Sequence, residues 1–304
     1  MSHNKKILIT GGAGFIGSKL KDRLKQLGFE VLTIGRDQTE DYVAELTDTS
    51  LEKIIFDFSP DVVCHLASGS NIERANKNKE QEFKNVVLGT ECLIKALTKI
   101  SSLKPVRVIY LSSQVVYGFP ESLPVGESHP LKPVTVYGEN KLRAENVLIQ
   151  SNLDYLIFRV SSVYGPNQNH LKSGTIAKFI NKMKANESPV VFNGVDLFSD
   201  FIYVTDLVDV IVLAITNSSL KNEVFNLGSG MPTSLKEILE HLYLHFPHAP
   251  KYVLIENTLY GDKDHKGIYL DIKKIKNTFP WVPKYSIGDG IKGILENLKI
   301  ARKA

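Results

Sequence analysis

The chain is poor in cysteine, with two in 304 residues, far too few for the disulfide framework that staples small secreted domains. Cys64 and Cys92 both sit in apolar stretches and read as buried thiols in a reducing compartment. Long hydrophobic runs are missing too. No apolar stretch approaches the roughly 20 residues that a membrane span needs. Met1-Ser-His-Asn-Lys-Lys6 runs straight into Ile7-Leu-Ile-Thr10, too short an apolar run for a signal peptide. A cytoplasmic protein with no membrane partner is expected. Charge of one sign is also scarce: 37 Lys and Arg face 33 Asp and Glu, a formal net charge of +4. The cations are scattered, so the basic stripe of a nucleic-acid binder is not expected. No internal repeat, low-complexity linker or metal-ligand cluster stands out. The 43% apolar and 23% charged residues are ordinary globular usage and argue against a disordered chain.

What is present is alternation. β-rich apolar runs at Lys6–Thr10, Glu30–Ile34, Val62–Leu66, Val106–Leu111 and Tyr155–Val160 are separated by helical patterns. The stretch after Gly17 carries Leu20, Leu24 and Leu27 on one stripe, closed by Gly28. This pattern predicts an α/β fold, a doubly wound parallel Rossmann sheet with a smaller mixed α/β C-terminal substrate lobe. The sheet is expected to resume at Phe201–Val204 and Val224–Leu227. The dinucleotide-binding domain would then hold residues 1–165 plus roughly 199–227, and the lobe roughly 166–198 plus 228–304.

Gly11, Gly14 and Gly17 form Gly-x-x-Gly-x-x-Gly between the first strand and the first helix. There glycines let the chain turn tightly and bring a pyrophosphate to free amides at the helix start. Where the second strand ends, an acid would bond the ribose 2′-hydroxyl of NAD, whereas an arginine accommodates the 2′-phosphate of NADP. Gly35 occupies the acid's place and Arg36 follows. This favours NADP(H), with NAD(H) the alternative if Arg36 is a solvated loop residue.

Tyr137 and Lys141 are four residues apart at the start of a helical pattern and share one face. Tyr269 and Lys273 have the same spacing but no hydroxyl-bearing strand before them. Tyr137 follows Leu111-Ser-Ser-Gln114, where Ser113 ends a strand. A tyrosine of pKa about 10 is a poor base at neutral pH. An ammonium one turn away favours the phenolate, and Ser113 would hold the same substrate oxygen. Together they suit hydride and proton transfer at a carbinol or ketone carbon.

With these residues the chain resembles the extended short-chain dehydrogenase/reductases, the NAD(P)-dependent nucleotide-sugar epimerase/dehydratase family. The resemblance extends to His65-Leu-Ala67, Asn85 before Gly89-Thr90, Val163-Tyr-Gly-Pro166, Asp200–Val204 with Asp206, and Phe225-Asn-Leu-Gly228. It implies a nucleotide-sugar substrate, a homodimer, and cofactor contacts from Phe15, Ile16, Leu66 and Ala67 beside the glycines, Arg36, Tyr137 and Lys141. Substrate contacts fall to Gln114 and to Ser162, where the family often has asparagine. In the family's 4,6-dehydratases an Asp-Glu pair follows the serine; here Gln114 and Val115 stand there, and neither is an acid or base. A 4-epimerase or 4-keto-reductase is therefore expected, with a nucleotide-sugar dehydrogenase, net oxidation at the same carbon, as the alternative. Arginines that often reach the diphosphate are replaced by Ser199 and Leu259, so lysines such as Lys172 or Lys178 would supply the charge, or the substrate is another alcohol or ketone. A dinucleotide-binding regulator without catalysis is the reading from another class. The amphipathic stretch Glu82–Leu97 suits either subunit pairing or packing within its own domain.

Overall fold

The computed structural model describes residues 5–67, 72–168, 174–256 and 266–299. Lys172 and Leu259 lie outside the described residues. The first half alternates strand and helix: β1 (Lys6–Thr10), α1 (Phe15–Gln26), β2 (Glu30–Gly35), β3 (Tyr42–Val43), α2 (Leu51–Phe58), β4 (Val62–His65). Then come α3 (Ile72–Lys77), α4 (Lys79–Phe83), a π turn at Lys84–Leu88, α5 (Gly89–Ser101), β5 (Arg107–Ser113), a 3-10 turn at Gln114–Tyr117, α6 (Val136–Ile149) and β6 (Asp154–Val160). α1 turns Gly17, Leu20 and Leu24 inward and ends at Gly28, whose φ of +81° stops the helix.

The second half holds β7 (Ser162–Tyr164), α7 (Thr175–Lys184), β8 (Val190–Phe192), β9 (Phe198–Tyr203), α8 (Val204–Thr216) and β10 (Glu223–Leu227). It closes with β11 (Pro232–Ser234), α9 (Leu235–Tyr243), β12 (Val253–Ile255), β13 (Gly267–Ile268), α10 (Lys273–Thr278) and α11 (Ile287–Asn297). The main sheet has seven strands in the order β10-β6-β5-β4-β1-β2-β3. Its order reverses between β1 and β4, which makes the carboxyl ends of those strands the ligand-binding crevice of a Rossmann sheet.

One strand differs from expectation. β9, expected to rejoin the main sheet, instead pairs β7 and β13 in parallel and β11 antiparallel. Three short partners claim both of its edges, which periodicity along one strand cannot reveal. The described residues divide into two compact units, one within 1–118, 130–159 and 208–225, the other within 119–129, 160–207 and 226–299. The first is built on Leu8, Ile34, Ile55, Val63, Leu93 and Val108, the second on Phe179, Ile180, Leu239, Leu242, Ile291 and Leu295. Each such side chain contributes about 1.5–3 kcal/mol by leaving water. No helix of the described residues is long and apolar enough to cross a membrane.

Candidate active site

The site begins at the turn after β1. Gly11 has φ +75°, and a Cβ there would stand 3.0 Å from the Ala67 backbone, so a side chain would push the turn off the end of β4. Gly17 is buried beneath the turn, and a Cβ on it would overlap the Gly11 carbonyl oxygen. Gly14 caps α1 without a side-chain hydrogen bond. No cap therefore competes for the first-turn amides of Phe15, Ile16 and Gly17, the groups an anion takes at a helix start. A cleft of about 460 Å³ opens beside the turn, lined by Gly11, Gly14, Arg36, Leu66, Ala67 and Glu82 among others. Its walls combine glycine backbone and small apolar groups with charged side chains, Glu40, Arg74 and Lys84 among them.

Behind the cleft a buried chain of hydrogen bonds fixes Ala67. The Thr90 hydroxyl donates to the Val86 carbonyl, so its oxygen accepts from His65 Nε2 at 2.9 Å. His65 Nδ1 then accepts from Thr10 Oγ1 at 2.8 Å, and Thr10 Oγ1 accepts the Ala67 amide at 3.1 Å. This assigns the neutral Nε2–H tautomer. Burial, with Lys141 nearby, lowers the His65 pKa to about 3.

Ser113, Tyr137 and Lys141 come together at the carboxyl end of β5. The Thr135 hydroxyl accepts the Gly138 amide at 3.1 Å and starts α6 just before Tyr137. A Cβ on Gly138 would stand 3.0 Å from the Val115 carbonyl, so glycine lets this first turn press onto the 3-10 turn after Ser113. The Ser113 hydroxyl is hydrogen-bonded to the Tyr137 phenol. Lys141 is 2% exposed, donates to the Leu111 carbonyl at 2.6 Å and lies 5.8 Å from the Tyr137 ring centre. Below them the Glu145 carboxylate of α6 holds Arg159 of β6 at 2.9 Å and accepts the Ser112 hydroxyl of β5, locking the helix to the sheet.

Electrostatics depart from expectation here. Burial pushes the Tyr137 phenol well above its ordinary value; the Ser113 bond opposes this and the Glu82 charge adds to it. Burial also lowers Lys141 to about 7, against the pull of Glu82 and Glu145. Desolvation thus outweighs the help that ammonium and phenolate would give each other, because both groups sit out of water.

Other expected residues are divided between the two units. Gln114 is buried in the 3-10 turn. In the second unit, Ser162 lies in β7 with its hydroxyl 3.4 Å from that of Ser199, and Lys178 lies half-buried in α7. Arg36 is exposed on the cleft, close enough for its charge to act on Glu45 and Glu82. The guanidinium acts on those carboxylates only as a minor through-space charge, and an exposed arginine so placed gives the expected NADP(H) preference no support.

Two residues escaped sequence reasoning. Glu82 is 3% exposed, its Oε1 buried with no hydrogen-bond partner among the described residues and its carboxyl pushed up mainly by burial. Glu40 is 8% exposed and reaches the glycine turn. Neither belongs to a motif; in a charged loop and a charged helix they look like solvated acids.

The model of the NAD-dependent epimerase/dehydratase family matches residues 7–228. A Methanocaldococcus jannaschii protein with a provisional UDP-glucose 4-epimerase assignment is 32% identical over 96% of this chain and 98% of its own. The UDP-glucose 4-epimerase of Thermotoga maritima, solved with UDP-glucose, superposes with a TM-score of 0.87 at 27% identity, covering 97% of this chain and 98% of that one. WbmG of Bordetella bronchiseptica, solved with NAD, gives a TM-score of 0.81 at 26% identity, covering 97% and 94%.

Proposed function

The chain belongs to the NAD-dependent epimerase/dehydratase family, and from that premise we propose that it is a nucleotide-sugar 4-epimerase acting on a UDP-hexose. The observation that carries this reading is the meeting of Ser113, Tyr137 and Lys141 at the end of β5, in the same unit as the glycine-turn cleft. Similarity to UDP-glucose 4-epimerases over nearly the whole chain supports the substrate class.

In this reading the glycine turn, Leu66 and Ala67 hold the dinucleotide. When bound, it supplies the hydride acceptor and donor and a positive ring beside the phenol. Tyr137 takes the proton of the C4 hydroxyl as that carbon becomes a ketone, and returns it after the sugar presents its other face. Ser113 bonds the same oxygen and orients the carbon. Lys141 and the positive ring would favour the phenolate, the form Tyr137 must hold before it can take that proton. Gln114 and Val115 offer no acid or base for removing water, which favours epimerisation over 4,6-dehydration. Ser162 and Lys178 are the proposed contacts to sugar and diphosphate.

The test is conversion of UDP-galactose to UDP-glucose by the protein with NAD⁺. Tyr137→Phe should lower kcat by about 10²–10⁴ while the dissociation constant for the dinucleotide stays within about threefold. A wild-type protein that binds dinucleotide yet interconverts no UDP-sugar pair would refute the proposal.

A further inference from the structure

The chain reverses sharply after β2. Asp37 accepts both the amide and the hydroxyl of Thr39, at 2.9 and 2.7 Å, and the Glu40 amide closes onto the Asp37 carbonyl at 3.1 Å. Asp41 then accepts the Thr33 amide at 2.8 Å and ties the returning strand to β2. This reversal carries Glu40 back against the glycine turn, where Oε1 accepts the Ala13 amide at 2.7 Å.

Two glycines make the space it fills. A Cβ on Gly35 would stand 2.5 Å from Glu40 Oε1 and 3.0 Å from its Cδ; a Cβ on Gly12 would stand 2.8 Å from Oε2. Gly35 is the position at which an NAD-binding Rossmann fold carries its ribose-binding acid. The Glu40 carboxylate therefore occupies the volume that an acid at 35 would need. It is buried and lines the cleft, and Oε2 has no hydrogen-bond partner among the described residues. A carboxylate accepts about four hydrogen bonds, and one amide is a poor complement for a buried one.

We propose that Glu40 selects the dinucleotide: its carboxylate, standing in for the acid missing at Gly35, accepts an adenosine-ribose hydroxyl of NAD(H) and repels the 2′-phosphate of NADP(H). This rests on the reading of the cleft as a dinucleotide site. Arg36, the residue that pointed to NADP(H), is exposed on the cleft and acts on Glu45 and Glu82 only as a distant charge; it is not the selector.

Calorimetric titration of the protein with NAD⁺ and with NADP⁺ tests this without turnover. Wild type should bind NAD⁺ at least about tenfold more tightly. Glu40→Gln, which keeps an acceptor for the Ala13 amide, should narrow that ratio at least about tenfold, chiefly through tighter NADP⁺ binding. Glu40→Ala combined with Gly35→Asp should restore the preference, since Gly35 has no left-handed φ to forbid a side chain. Arg36→Ala should retain it. Wild-type preference for NADP⁺, an unchanged ratio in Glu40→Gln, or a preference abolished by Arg36→Ala would overturn the inference and leave the dinucleotide site standing. Failure of wild type to bind either dinucleotide at millimolar concentration would remove both.

Discussion

His65 shows how much the cleft asks of one buried ring. With its pKa lowered to about 3 against an ordinary value near 6.5, the unfolded chain binds more protons than the folded one between those limits. Stability from a neutral His65 is full above about pH 6.5 and is lost as pH falls toward 3, by an upper limit of about 5 kcal/mol. Denaturant melts at pH 7, 5 and 4 should therefore show His65→Asn losing less stability on acidification than wild type. Equal losses would mean that the ring is not held neutral. The same logic applies across the cleft, where burial opposes the charged forms of both Tyr137 and Lys141. Tyr137, Lys141 and Ser113 were readable from spacing, since an i, i+4 pair on a helix and a hydroxyl at a strand end are local features. Their protonation balance was not, because desolvation depends on everything packed around them.

The turn joining β1 to α1 depends on a close approach of backbone to backbone. Gly17 permits it: any side chain there would strike the Gly11 carbonyl. Gly17→Ala should cost about 1–3 kcal/mol and weaken dinucleotide binding at least about tenfold. Denaturant titration and calorimetry check these together; a variant as stable as wild type would contradict the contact. The glycine motif was legible because strand, turn and helix are contiguous in the chain. Glu40 was not, although it lies only five residues past Gly35. Asp37 and Thr39 signal a turn, but nothing in them says that the returning chain will set a carboxylate on the Ala13 amide. Segment 82–97, expected as an amphipathic helical stretch, is helical throughout, with a π turn at Lys84–Leu88 flanked by helical backbone on both sides. Its buried Val86, Leu93, Ile94 and Leu97 pack into the core of the first unit.

Across the molecule, buried carboxylates organise each unit. In the second, the fully buried Asp200 accepts the amides of Ser229 at 2.7 Å, Gly230 at 3.0 Å and Leu270 at 3.3 Å. Asp200→Ala would leave three backbone donors short of a partner and should cost roughly 3 kcal/mol or more. Denaturant unfolding reads this, and a loss under about 1 kcal/mol would show that the amides find other acceptors. The α/β class, the order of elements in the first half, the glycine turn and the Tyr-Lys-Ser group all followed from residue types and short spacings, because strand and helix periodicity and turn chemistry act over a few neighbouring residues. Which sheet takes Phe198–Tyr203 and which carboxylate fills the space beside Gly35 emerged only when the chain closed on itself. Those outcomes depend on contacts between segments far apart or reversed in direction, where a single turn sets which side chain meets which backbone.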